Sequence, residues 1–155
     1  MRTLTRRDFI ATPLVLTGAI SAFAQPSADD WKESDTIQPK ALAARITANE
    51  KNKPLILQVG FAFHYKNKHI PGAVYAGPGN KPEGIDKLKT AVAGVAKDRE
   101  IILYCGCCPW EKCPNMKPSF AWLHNAGFKN VKAVVIEKDF GTNWIDMGYP
   151  VENGQ

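Results

Sequence analysis

Three short runs constrain this chain more than any other feature: Leu55-Ile56-Leu57-Gln58-Val59, Ile101-Ile102-Leu103-Tyr104 and Val131 to Ile136. Each is near-continuous in aliphatic residues. A strand with one wet face alternates apolar and polar side chains, whereas a strand covered on both faces does not. Segments with helical spacing lie between and around these runs. Pro39 to Glu50 places Leu42 and Ile46 one turn apart. Ile85, Leu88, Val92 and Val95 follow steps of three, four and three, and Met116, Phe120 and Leu123 repeat the pattern with Gly127 as the stop. A last short segment runs near Phe140 to Met147. Strands alternating with helices predict a single α/β domain, its parallel β-sheet flanked by helices on both faces. In such sheets functional groups collect at the carboxyl ends of strands. Cys105 directly follows the strand Ile101–Tyr104, which makes it the first candidate.

The N-terminus reads as an address rather than as part of the fold. Thr5-Arg6-Arg7-Asp8-Phe9-Ile10 leads into the weakly apolar stretch Ala11 to Ala24, which closes on the small-x-small pattern Ala22-Phe23-Ala24. Residues 1–24 resemble a twin-arginine signal peptide cut after Ala24. That resemblance implies the twin-arginine export machinery as a partner of the precursor, and a periplasmic or secreted mature protein. Read instead as an uncleaved anchor, the stretch falls short of the roughly 20 residues that span a bilayer. Removing it takes the net charge from +5 to +3. Without any basic run, nucleic acid is not expected as a partner. Polar residues 25–34 read as a linker, and 35–153 as one domain, long enough to bury a core.

All four cysteines, Cys105, Cys107, Cys108 and Cys113, fall in one short loop. Disulfides used as general staples would be scattered, so these thiols serve one place.

The segments together resemble the rhodanese family over nearly the whole mature chain. His69-Ile70-Pro71-Gly72-Ala73 reproduces the family's H-I-P-G-A. Ile102-Leu103-Tyr104-Cys105 is similar to the strand that delivers its catalytic cysteine. Ala126-Gly127-Phe128-Lys129-Asn130-Val131 resembles its G-F-x-N-V link, and Trp144 with Gly148-Tyr149-Pro150-Val151-Glu152 its W-x-x-x-G-Y-P-V-E ending. The resemblance implies a sulfurtransferase, acting like thiosulfate sulfurtransferase. Cys105 would take a sulfane sulfur from a small donor as a persulfide and pass it to a thiol acceptor, without a cofactor. A thiolate is the nucleophile, so a depressed pKa is expected for Cys105, from loop N–H groups and from a helix opening between Asn115 and Ser119. Asn115 or Ser119 is expected to cap that helix, with Pro118 in its first turn. His69 reads as a structural hydrogen-bonding histidine, Trp144 as a core anchor, and His64 and His124 as surface residues.

The loop departs from the family pattern C-x-x-G-x-R. Cys105-Gly106-Cys107-Cys108-Pro109-Trp110-Glu111-Lys112-Cys113-Pro114 is longer and holds no arginine. Gly106, Cys107 and Cys108 would then line the anion or substrate loop, and Lys112 and Lys117 would supply charge without arginine's bidentate fork. Gln58-Val59-Gly60 stands where the family has Asp-Val-Arg, and Asp139-Phe140 where it has paired glycines. Phosphatases of this fold need an arginine six residues after the cysteine. Here the sixth residues on are Glu111, Cys113 and Pro114, which excludes that class. Two other readings of the cluster stay open. In a redox reading, Cys107, Cys108 and Cys113 supply a disulfide, with Cys108–Cys113 the expected staple or Cys105 and Cys108 acting as a C-x-x-C. In a metal reading, Cys105, Cys107, Cys108 and Cys113 hold a soft ion, copper or zinc, on a non-catalytic module.

Overall fold

The computed structural model describes residues 31–48 and 51–154. The leader and most of the expected linker lie outside them. The core is a five-stranded sheet in the order β1-β5-β4-β2-β3, with every pairing parallel. Its strands are β1 (Thr36–Ile37), β2 (Leu55–Gln58), β3 (Val74–Tyr75), β4 (Ile101–Tyr104) and β5 (Val131–Val134). Helices α1 (Pro39–Thr47), α2 (Ala62–Asn67), α3 (Pro82–Ala91) and α4 (Met116–Asn125) connect them. No helix among the described residues is long and apolar enough to cross a membrane.

Both faces of the sheet are covered, which is why its strands do not alternate in polarity. Leu57, Ile101, Leu103 and Ala133 pack on one side with Leu88 of α3 and Met116 and Leu123 of α4. Ile56, Ile102, Tyr104 and Val134 pack on the other with Leu42 of α1, Phe140 and Trp144. Successive side chains of β4 therefore feed opposite cores, as the two-residue period of a strand requires. All four β4 residues are buried.

The chain's end latches onto its middle. His69 and Glu152 form an isolated antiparallel bridge, and the Gly72 N–H donates to the Glu152 carboxylate at 3.0 Å. His69 is buried, its Nδ1 lies 3.0 Å from the Tyr65 carbonyl oxygen, and its ring stacks on Tyr65. It is structural, as its place at a turn implies. Trp144 is fully buried and donates from Nε1 to the Pro150 carbonyl oxygen at 2.8 Å.

The N-terminal boundary needs correcting. Trp31 stands in the expected linker 25–34, yet its ring packs on Trp110 and Phe120 at centroid distances of 5.0 and 4.7 Å. A 3-10 turn at Glu33–Asp35 follows it. The folded unit therefore reaches back at least to Trp31. Apolar contact with the cysteine loop outweighs the polar composition of the surrounding residues.

Candidate active site

β4 is the central strand, and Cys105 is the first residue beyond it. The chain must turn sharply there to enter the loop. Gly106 takes a left-handed conformation, φ +72°, and a Cβ built on it would stand 2.7 Å from Phe140 Cβ. A side chain is thus excluded both by backbone strain and by space. The loop then makes a 3-10 turn at Trp110–Lys112 and enters α4 at Met116.

Three sulfurs converge under the start of that helix. The Sγ atoms of Cys105, Cys107 and Cys113 all lie within 4.8 Å of one another. Cys105 and Cys107 are 3.0 Å apart, and Cys108 approaches Cys107 at 3.4 Å. All four are free thiols, so the expected Cys108–Cys113 staple is not made. The start of α4 draws Cys113 inward toward Cys105, while Cys108 turns to Cys107. Cys105 is buried, only 4% exposed, whereas the other three are half-buried.

Asn115 stands at the N-cap position but makes no side-chain cap. Its side chain is wholly buried. Nδ2 donates to Cys105 Sγ at 3.4 Å and to Cys107 Sγ at 3.7 Å, while Oδ1 accepts the Asn80 N–H at 3.2 Å. Ser119 does not cap either. It is buried one turn inside α4, and its Oγ has no hydrogen-bond partner. Pro118 does lie in the first turn. Two glycines allow close approach around this centre. A Cβ on Gly60 would meet Cys105 Sγ at 3.0 Å, and one on Gly79 would meet Ser119 Oγ at 2.0 Å.

The charge is not placed where a family cysteine would carry it. Cys113 is held well below the usual thiol range. Hydrogen bonds from the Cys105 and Cys107 thiols lower it most, and the Asn115 and Met116 N–H groups at the opening of α4 add to them. Cys105 is instead pushed up to about 12. Its hydrogen bond with Cys107 pulls down, but that with Cys113, together with burial, outweighs it. Cys107 moves up through hydrogen bonds to Cys105 and Cys113, and Cys108 chiefly through burial. Neighbouring thiols cannot all ionise, and α4's N–H groups favour the one they touch. The N–H groups at the opening of α4, expected to act on Cys105, act on Cys113.

The expected lysines are not among the residues that line the space beside Cys105. Lys112 is exposed on its 3-10 turn and makes no side-chain hydrogen bond or ion pair among the described residues. Lys117 is half-buried in the first turn of α4. The space beside Cys105 is bounded by Gly106, Cys108, Trp110, Cys113, Met116, Val134 and Ile136, and amounts to about 10 Å³. That is room for a single water-sized atom.

Residues 38–135 match the family described as the rhodanese-like domain. The chain belongs to this family. Its fold is similar to the rhodanese-like domain of an Anabaena sp. protein, at 22% identity and a TM-score of 0.58, covering 77% of this chain and 79% of that one. It also resembles a Bacillus halodurans protein, at 25% identity and a TM-score of 0.60, covering 77% of each chain. Thiosulfate sulfurtransferase of Pseudomonas aeruginosa aligns at 23% identity and a TM-score of 0.55, covering 84% of this chain and 20% of that one. No curated protein matches the chain.

Proposed function

We propose that this rhodanese-like protein transfers sulfane sulfur through a persulfide on Cys105. The observation that carries this reading is the position of Cys105: buried, directly beyond central strand β4, with the Asn115 amide on its sulfur. A fold likeness to a protein named thiosulfate sulfurtransferase agrees with it. In this reading the anionic donor takes the proton of Cys105, since the start of α4 stabilises the Cys113 thiolate and so makes it a weak base. The Cys105 thiolate attacks the sulfane sulfur, the donor's remaining anion departs, and Cys105 keeps one added sulfur. A space of about 10 Å³ fits that one atom and not a bulky sulfonate. Without arginine in the loop, compact donors such as inorganic polysulfide suit the site better than thiosulfate. Residues 1–24 carry the protein out of the cytoplasm by the twin-arginine route, and sulfur transfer takes place beyond the membrane.

The test is mass analysis of reduced protein after brief exposure to polysulfide. Wild type takes up the donor's sulfane sulfur, read as added mass on the peptide bearing Cys105 or as released sulfide, and Cys105→Ser does neither. Equal sulfur loading of the two proteins would remove Cys105 from the mechanism.

One observation favours a second reading. Three thiol sulfurs within 4.8 Å of one another form a soft ligand set, suited to Cu(I) rather than to a hard cation. Copper held there would block Cys105. Elemental analysis with thiol counting on freshly purified protein separates the two: stoichiometric copper or zinc on reduced thiols supports a metal site, and metal-free protein that loads sulfur supports transfer.

A further inference from the structure

We propose that Cys107 resolves the Cys105 persulfide internally, so that this domain releases sulfide. This rests on the persulfide reading above and deepens it by naming the acceptor as a residue of the same loop. Four observations lead to it. Cys105 is 4% exposed, and the space beside it is narrow, so its outer sulfur lies nearer to the loop's own thiols than to a bulky external acceptor. Cys107 Sγ already stands 3.0 Å from Cys105 Sγ and is half-buried, open on one side to solvent. Gly106 between them is fixed in a left-handed turn by its φ of +72° and by Phe140, which keeps both sulfurs on one side of the chain. One amide, Asn115 Nδ2, donates to both sulfurs, at 3.4 and 3.7 Å.

The step balances as a thiol–disulfide exchange. Cys107 sulfur attacks Cys105 Sγ, the bond from Sγ to the outer sulfur breaks, and the outer sulfur leaves with the Cys107 proton as hydrogen sulfide. The sulfane sulfur is reduced to sulfide while the two cysteine sulfurs are oxidised to a Cys105–Cys107 disulfide. Hydrosulfide is a good leaving group, and the attacking atom is already in contact. A dithiol reductant, entering at the more accessible Cys107, then restores both thiols for the next cycle.

The experiment uses reduced full-length mature protein and inorganic polysulfide, with excess donor removed before sulfide and protein mass are read. Wild type is expected to release one equivalent of sulfide and to lose the mass of two hydrogens. Cys107→Ser is expected to retain one added sulfur and to release at least ten-fold less sulfide until a dithiol is added. Trypsin cuts after Arg99 and Lys112, so Cys105, Cys107 and Cys108 share one peptide and Cys113 lies in the next. The new disulfide is expected within the first peptide, and a backbone break between Cys107 and Cys108 should separate its fragments. A cross-link between the two peptides, or sulfide release by Cys107→Ser at the wild-type yield, would overturn the role of Cys107. Absence of both sulfide and added sulfur from either protein would instead overturn the persulfide reading itself.

Discussion

The Asn115 side-chain amide donates to Cys105 Sγ at 3.4 Å, while its carbonyl oxygen accepts the Asn80 N–H at 3.2 Å. One buried side chain thus ties the sulfur centre to the loop that precedes α3. Asn115→Asp replaces the donor facing sulfur with an acceptor and sets a carboxylate against the thiols. Loss of a hydrogen bond to a charged group costs about 1.5–3 kcal/mol. Persulfide formation should slow by about ten- to a hundred-fold. The check is the single-turnover rate of sulfur loading, with circular dichroism to show that the fold is retained. A rate within two-fold of wild type would mean that the amide serves only the Asn80 loop.

Gly106→Ala should cost stability and sulfur loading together. The left-handed backbone alone penalises a Cβ by about 1–2 kcal/mol, and that Cβ would press on Phe140 at 2.7 Å. Urea unfolding should show a lower midpoint with an unchanged slope. A midpoint equal to wild type would show that the turn is not fixed as described.

Ser119→Ala should do the reverse. The hydroxyl is fully buried in α4 with no partner, so removing it deletes a desolvated polar group and gives the helix a better former. A gain of about 1 kcal/mol is expected. A loss of similar size in urea unfolding would reveal a hydrogen bond made by this hydroxyl.

Arg45 and Glu100 form a two-bonded ion pair at 3.0 and 2.7 Å, linking α1 to the start of β4. The Arg45 hydrogen bond holds the Glu100 carboxyl below its usual range, against opposing burial. A depressed carboxylate stabilises the fold above its unfolded pKa and loses that contribution as pH falls through the folded one. Both partners are partly exposed, so the pair contributes up to about 1 kcal/mol. Glu100→Gln should lower the urea midpoint at neutral pH, and the gap should close in acid. A gap independent of pH would point to packing rather than charge.

Much of this architecture could be read from the chain. The apolar runs around Leu57, Leu103 and Ala133 announced buried parallel strands, and the place of Cys105 followed from them. Thr36–Ile37 and Val74–Tyr75 were invisible as strands, because two residues carry no periodicity and their pairing partners lie far along the chain. Asn115 before a helix reads as a cap. Its turn toward sulfur depends on the Gly79-Asn80 loop arriving from elsewhere in the fold. Trp31 reads as linker because composition is local, while its contacts with Trp110 and Phe120 are not. Spacing along the loop suggested Cys108 and Cys113 as a pair. The opening of α4, through the Asn115 and Met116 N–H groups, instead places Cys113 with Cys105.

The all-parallel sheet also bears on how the chain reaches this state. Every strand pairing joins distant segments, as Leu55 with Ile101 or Thr36 with Ala133, and such topologies fold slowly because long loops must close first. The four thiols, by contrast, are close neighbours along the chain and collide from the outset. In an oxidising solution they have time to couple at random before β4 settles between β2 and β5. Refolding yield should therefore depend on thiol reductant during the first moments and not afterwards. The order of events, oxidation after folding rather than before it, then decides how many molecules ever acquire a working centre.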